Sequence, residues 1–391
     1  MNNSLLKQQW TVIGVGVALI LLALVFPTSI IAYMITAVAG VYALLKPKES
    51  LFLLLIYFPL RPFLTEINPS LKLLGDLIII AAFLRVVWNS LRTNWKSIFH
   101  FEKFEWAFIV FLLVGAASAF LTGVSMGAII FQIRAFVIMF LLLYIVKRLQ
   151  ITKEDIKTFL WVTFIVAMIL VIQGIAEKLT MRTMFMPADW INRKLSPNNF
   201  TRIYGLLNNP NVLAVFLTIA GILTVYLKML LPKTKIQWLL NIGLVLMSGV
   251  WILTYSRGTW IALAVGLAVY LLLTRNWKFL IPTAAVIAVS FALVTVPVTY
   301  GAQWLDQHTD IGNITRDGDP DDSGGFAVEG NRIKETFESS YIELSMASGR
   351  LFVIMKGFEV FLDHPIIGTG FGTFGDSATK SYPSPIYDDY G

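Results

Sequence analysis

The chain has 391 residues, of which 57% are hydrophobic and 14% charged, and its mean hydropathy is +0.72. That composition excludes a string of soluble domains and predicts an all-α protein that passes through a membrane many times. The absence of cysteine excludes a disulfide framework, Cys-ligated zinc and thiolate catalysis, and three histidines are too few for a His-rich metal site, so no metal and no cofactor is expected. A net charge of +7 is not taken as a nucleic-acid footprint, because in a membrane protein the distribution of charge says more than its sum.

In chain order, apolar runs begin near Trp10, Ile30, Leu51, Leu71, Glu105, Ile129, Lys157, Pro210, Trp238, Trp260 and Lys278, which predicts about 11 transmembrane helices. The first run has Lys7 on its flank but no small-residue cleavage site, and a second span follows at once, so it is expected to be retained. The run over 51–64 is short and contains Pro59 and Pro62, the marks of a re-entrant segment. Making it re-entrant would put Arg85, Arg92, Lys96 and Lys103 outside, against the positive-inside rule, so it is expected to span.

Eleven spans with a cytoplasmic N-terminus place Lys7, Lys46, Lys48, Lys147, Arg148, Lys153, Lys157, Lys228, Lys233, Lys235, Arg275 and Lys278 inside with that cluster. The short outer turns hold few cations. Two long extracytoplasmic segments do not follow the charge rule and need not. The first, 176–207, contains Lys178, Arg182, Arg193, Lys194 and Arg202; the second, 298–391, contains Arg316, Arg332, Lys334, Arg350, Lys356 and Lys380. The expected organisation is a transmembrane helical domain over 1–297 and an extracytoplasmic segment over 298–391. No internal repeat or low-complexity tract is present.

Arg257, in LTYSRGTW, sits in a short outer turn between two apolar runs. A guanidinium there matches a phosphate bidentately, and the helix start behind it offers amides to an anion; anchoring a helix end to lipid headgroups is the other reading. Arg202, in TRIYGLLNNPN, is a second candidate anion ligand or else a solvated loop residue, while the Asn-Asn-Pro-Asn run behind it reads as a helix start. Arg134 and Asp76 each lie five residues inside a predicted span, roughly 8 Å from its outer end at 1.5 Å per residue, so they could form an ion pair, contact substrate, or do both.

In the terminal segment, Leu351, Ile354, Met355, Phe358, Phe361 and Leu362 recur at helical spacing, predicting an amphipathic helix over 345–362. A glycine-rich stretch over 364–375 follows. It has the context of no Walker or dinucleotide fingerprint and reads as turns. His364 is either a helix-end cap or a general base. The acidic run at 317–325 has Asp322 where a calcium loop needs glycine, and reads as a solvated loop.

Together, RIYGLLNNPNVLAVFL, YSRGTWIALAVGLAVYLL and GRLFVIMKGFEVFLDHPIIGTGFGTFGD resemble the O-antigen ligase and polymerase superfamily, whose members carry R-x-x-G before a P-N helix start, an S-R-G helix start and D-H-P-x-x-G-x-G-x-G-x-F. The branch most resembled is the teichuronic acid polymerases of Gram-positive bacteria. The resemblance covers the C-terminal half from Thr201. It implies a metal-independent, inverting glycosyl transfer at the outer face of the cytoplasmic membrane, from an undecaprenyl-diphosphate-linked oligosaccharide to a sugar hydroxyl. It casts Arg257 and Arg202 as ligands of the diphosphate, and Arg134 resembles a membrane arginine found in several members; with the readings above, the expected catalytic set is Arg257, Arg202 and His364 and the expected substrate contacts are Arg134, Asp76, Arg350, Asn211 and Ser256. Expected partners are the lipid-linked glycan, membrane lipids and other polysaccharide-assembly proteins, with no nucleic acid. Members also carry an H-N or D-N motif past the glycines. None occurs before Gly391, which leaves His364 and Asp363 as the nearest bases or places the base in a segment beyond. The rival class is a flippase for the same glycans, which would need midplane polar sites in paired halves.

Overall fold

A computed structural model describes residues 3–390 except 183, 194, 196, 233–234 and 310–349. All regular structure among the described residues is helical. Eight described helices are long and apolar enough to cross a membrane, and two shorter apolar helices precede them. The protein is a polytopic membrane protein. The helices are α1 (Asn3–Val25), α2 (Ser29–Leu45), α3 (Pro47–Ile67), α4 (Leu74–Thr93), α5 (Lys103–Leu121), α6 (Met126–Arg148) and α7 (Lys153–Leu179). Two four-residue helices, α8 (Ala188–Ile191) and α9 (Pro197–Phe200), lead to α10 (Pro210–Leu230), α11 (Lys235–Leu253) and α12 (Arg257–Thr274). Then come α13 (Leu280–Ser290), a π-helical turn (Phe291–Thr295), α14 (Val296–His308) and, past the undescribed stretch, α15 (Arg350–Asp363) and α16 (Tyr387–Tyr390).

Each predicted apolar run is therefore helical. The doubtful one, α3, continues through Pro59 and Pro62 for 21 residues, as proline-bearing membrane helices do when neighbours satisfy the carbonyls that proline leaves. The last span runs to His308, past Val298, where the outer segment was expected to begin. Gln303, Asp306 and Gln307 are polar yet compatible with helix, so hydropathy falls before the helix ends. The acidic run at 317–325, Arg316, Arg332, Lys334 and the start of the predicted amphipathic helix at 345–349 lie outside the described residues.

The described residues form two compact units. The first lies within Met1–Tyr42, Lys48–Ile78 and Ile151–Gly330, and the second within Ala43–Pro47, Ile79–Gln150 and Asn331–Gly391. In the first, α7 packs on α10, α11 and α14, and α11 packs on the π-helical turn. Val294 of that turn lies where a Cβ on Gly249 would have to be, so only glycine allows the approach. At the other end of α7, Asp155 accepts hydrogen bonds from Gln9 Nε2 (2.7 Å) and Lys48 Nζ (2.9 Å) and closes a capping box with Thr152.

In the second unit, α5 packs on α6, and the glycine-rich stretch docks on the end of that pair. Phe371 inserts between Phe111 and Phe136, with ring centroids 5.5 and 5.3 Å away. Ser118 Oγ donates to the carbonyl of Gly368 at 2.6 Å, and Thr122 Oγ1 to that of Thr369 at 3.0 Å. Gly368, Gly370, Gly372 and Gly375 all have positive φ, which agrees with the turn reading. In α15 the predicted apolar face is present, but Leu351, Ile354, Met355, Phe358, Phe361 and Leu362 are exposed, and Val360 is the buried side chain. Exposure of that kind is ordinary where lipid is available to cover it.

At Gly370 the φ is +86° and an added Cβ would collide with the backbone of Ala119. Gly370→Ala is expected to destabilise the second unit by about 1–3 kcal/mol. Thermal unfolding of the purified protein checks this; an unchanged Tm would contradict the docking.

Candidate functional site

Within the first unit, the C-terminal end of α7, the start of α10, the end of α11 and the start of α12 are tied together by hydrogen bonds. Asn209 caps α10, its side chain accepting from the N–H groups of Asn211 (2.9 Å) and Val212 (3.2 Å), with Pro210 behind it, as the Asn-Asn-Pro-Asn run predicts. Arg202 reaches across to the turn that carries Arg257. Its Nε donates to the carbonyl of Thr254 at 2.8 Å, Nη2 to Asn211 Oδ1 at 2.9 Å and Nη1 to Asn199 Oδ1 at 3.3 Å. Asn211 Oδ1 also accepts from Ser256 Oγ at 2.9 Å, and the N–H of Ile203 donates to the carbonyl of Leu253 at 3.3 Å.

These bonds divide the expected residues by task. Ser256 is 3% exposed and its hydroxyl is engaged by Asn211, so both residues hold the turn in place. Arg257 begins α12 with its side chain exposed, so it is the first residue of the helix and not part of the turn before it. Arg202 is half-buried and fixed through its guanidinium.

A further layer behind Arg202 is absent from the sequence-derived set. Glu177, 1% exposed in the last turn of α7, accepts from the N–H of Tyr204 at 3.0 and 3.2 Å and from that of Gly205 at 2.6 Å. One carboxylate thus fixes the backbone immediately after Arg202. Lys178 Nζ donates to the carbonyl of Thr201 at 2.6 Å and lies 5.7 Å from the ring centre of Tyr255. Arg182, 3% exposed, places Nη1 3.6 Å from Glu177 Oε1 and its guanidinium 4.1 Å over the Tyr204 ring. Burial pushes the pKa of Arg182 down, and the Glu177 carboxylate opposes that shift.

Among the described residues, six that are not glycine have positive φ: Met181, Arg182, Phe185, Asn208, Tyr255 and Arg275. All but Arg275 belong to the segments that build this end of the unit. Left-handed backbone at a bulky residue is costly and persists where surrounding structure over-determines it, often at functional sites.

The remaining expected residues belong to other segments of the two units. Asp76 is half-buried in the first turn of α4 within the first unit, and Arg134 is exposed on α6 in the second. Arg350 opens α15, and His364 follows it with an exposed side chain and its N–H donating to the carbonyl of Val360. The neighbouring Asp363 Oδ2 accepts from Tyr390 Oη at 2.8 Å, and that hydrogen bond pushes the Tyr390 phenol up. Among the described residues, no three His, Asp or Glu side chains gather where they could share a metal ion.

The class defined so far is a polytopic helical membrane protein with a cationic, strained site at one end of its helices. Residues 242–390 match the family model described as O-antigen ligase, less than half of the chain. That stretch includes the S-R-G turn and the glycine-rich segment, while Arg202 and its R-x-x-G lie before it. No curated protein and no solved structure matches the chain.

Glu177→Ala removes the acceptor for two buried N–H groups and leaves Arg182 without its counter-charge. The expected loss is about 3–5 kcal/mol. A fall in Tm, with faster proteolysis around residue 204, would be the observation; an unaltered unfolding curve would contradict it.

Proposed function

We propose that the protein is a membrane glycosyltransferase of the O-antigen ligase and polymerase type, acting at the outer face of the cytoplasmic membrane on an undecaprenyl-diphosphate-linked saccharide. The observation that carries this reading is the clamp of Arg202 onto the turn that bears Arg257, which joins two motifs far apart in sequence at one end of the helices. The family match over 242–390 supports it independently. Assignment to teichuronic acid, and so to a cell-wall polysaccharide polymerase, is supported by the sequence resemblance alone.

In the proposed reaction an acceptor hydroxyl attacks the anomeric carbon, the carbon–oxygen bond to the diphosphate breaks, and the lipid diphosphate leaves. Negative charge grows on the leaving group. Guanidinium groups already held in place stabilise that charge without reorganising, so they favour the transition state over the ground state. Arg257 is the exposed ligand and Arg202 the fixed one. Neither step assigned to them calls for a metal. For the proton of the acceptor hydroxyl we favour His364, because Asp363 is engaged by Tyr390. Arg134, Asp76, Arg350, Asn211 and Ser256 remain proposed contacts along the lipid-linked glycan, with membrane lipids and other assembly proteins as its surroundings.

Incubation of the purified protein with a lipid-diphosphate oligosaccharide tests the reading directly. A ladder of products identifies a polymerase and a single addition a ligase; no product under conditions where the protein is folded would sink both. In cells, Arg257→Lys is expected to lower chain growth by at least about 10²-fold while lipid-linked units still reach the outer leaflet. Units trapped on the inner leaflet would point to a flippase. His364→Ala is expected to slow transfer by about 10²–10⁴-fold with little change in lipid-glycan binding.

The proposed orientation has its own test, since the chain contains no cysteine. Lys72→Cys should react with a membrane-impermeant maleimide in intact cells, and Lys96→Cys only after permeabilisation. The opposite pattern would invert the topology.

A further inference from the structure

Behind Arg202 lies a small recess, part of it open to solvent, lined in part by Glu177, Lys178, Arg182, Thr201 and Arg202. Its walls carry unsatisfied polar atoms. Arg182 Nη1 and Nη2 and Thr201 Oγ1 are buried and have no hydrogen-bond partner among the described residues. Buried polar groups without partners are rare in folded proteins, and each calls for an explanation. Here the unsatisfied atoms can all donate, and they belong to residues that line one recess.

The charges agree with those donors. Lys178, Arg182 and Arg202 bring three cations to the recess and Glu177 one carboxylate, which is itself occupied by the N–H groups of Tyr204 and Gly205. Glu177 approaches Arg182 no closer than 3.6 Å, beyond a charge-assisted hydrogen bond. The guanidinium is nonetheless fixed, stacked on Tyr204 and held by left-handed backbone at Met181 and Arg182, with φ of 51° and 69°. A cation held by strained backbone, buried and with vacant donors, has the makings of an anion site.

We propose that this recess is a second oxyanion subsite, in which Arg182 and Thr201 donate to a phosphate group with Lys178 and Arg202 beside it. The proposal deepens the reading of the protein as an enzyme for lipid-diphosphate glycans and rests on it only for the source of the phosphate. A single tetrahedral phosphate matches a guanidinium fork with a hydroxyl beside it.

The test reads binding without turnover. Wild-type protein in phosphatidylcholine nanodiscs is titrated with pyrophosphate at ionic strength matched with chloride, and Tm is followed. A rise of about 2 °C or more at saturation is expected. Arg182→Gln should weaken the apparent pyrophosphate affinity by about tenfold or more, while Arg257→Lys retains an Arg182-dependent rise. Should Arg182→Gln fail to fold, Arg182→Lys keeps the charge opposite Glu177 but loses the fork, and the same weakening is expected of it. A merely structural Arg182 would lower the intrinsic Tm and leave the pyrophosphate-dependent rise intact, which overturns the proposal. The absence of any rise in the wild type with either pyrophosphate or phosphatidylglycerol nanodiscs overturns it too. Stabilisation by phosphatidylglycerol nanodiscs that depends on Arg182, without a response to pyrophosphate, would support the subsite and assign it to a bilayer headgroup. Binding that persists in a protein without transferase activity would remove the proposed reaction and keep the subsite.

Discussion

Glu177 stands at the end of a membrane helix with almost no access to water, and an ionised carboxylate in that position is tolerable only if its lone pairs are occupied. The N–H groups of Tyr204 and Gly205 occupy them, and Arg182 supplies a positive charge 3.6 Å away. The geometry of Arg202 follows from this arrangement, because the backbone on its C-terminal side is pinned two residues away. From Arg202 the order passes through Thr254 and Asn211 to Ser256, and so to the turn from which Arg257 projects.

The apolar helices make such a site possible because they resist its strain. Five bulky or polar residues in left-handed backbone would not persist in a loop that had nothing behind it. Here α7, α10 and α11 pack closely, with Leu170, Leu213, Leu217 and Leu253 almost wholly buried, and the connecting segments inherit that rigidity. Sites built on rigid elements hold catalytic geometry better than sites on mobile loops.

The helices were legible because span length and hydropathy are properties of composition, which reads without tertiary information. Even α3 with its two prolines is a 21-residue helix, long enough to span. Arg202, Asn211, Ser256 and Arg257 were legible as a set through motif resemblance, and the Asn209 cap through turn chemistry. What the sequence did not show is the layer behind them. Glu177 looks like a helix-terminal acid and Arg182 like one loop cation among several; only the fold returns 204 and 205 to the end of α7. The orphaned donors of Arg182 have no sequence signature at all, since a missing hydrogen bond is a fact about neighbours.

A lysine at these positions would bring the same charge and would not do the same work. Arg202 directs separate N–H groups to a carbonyl and two amide oxygens, a fork that an ammonium on a flexible stem cannot reproduce while staying in one place. In the proposed transfer, positional certainty is what would matter for the leaving diphosphate, because a cation that must move to meet developing charge loses part of its stabilising effect to reorganisation. The protein keeps Arg202 where the backbone, a buried carboxylate and two asparagines fix it, and leaves Arg257 exposed at the start of α12.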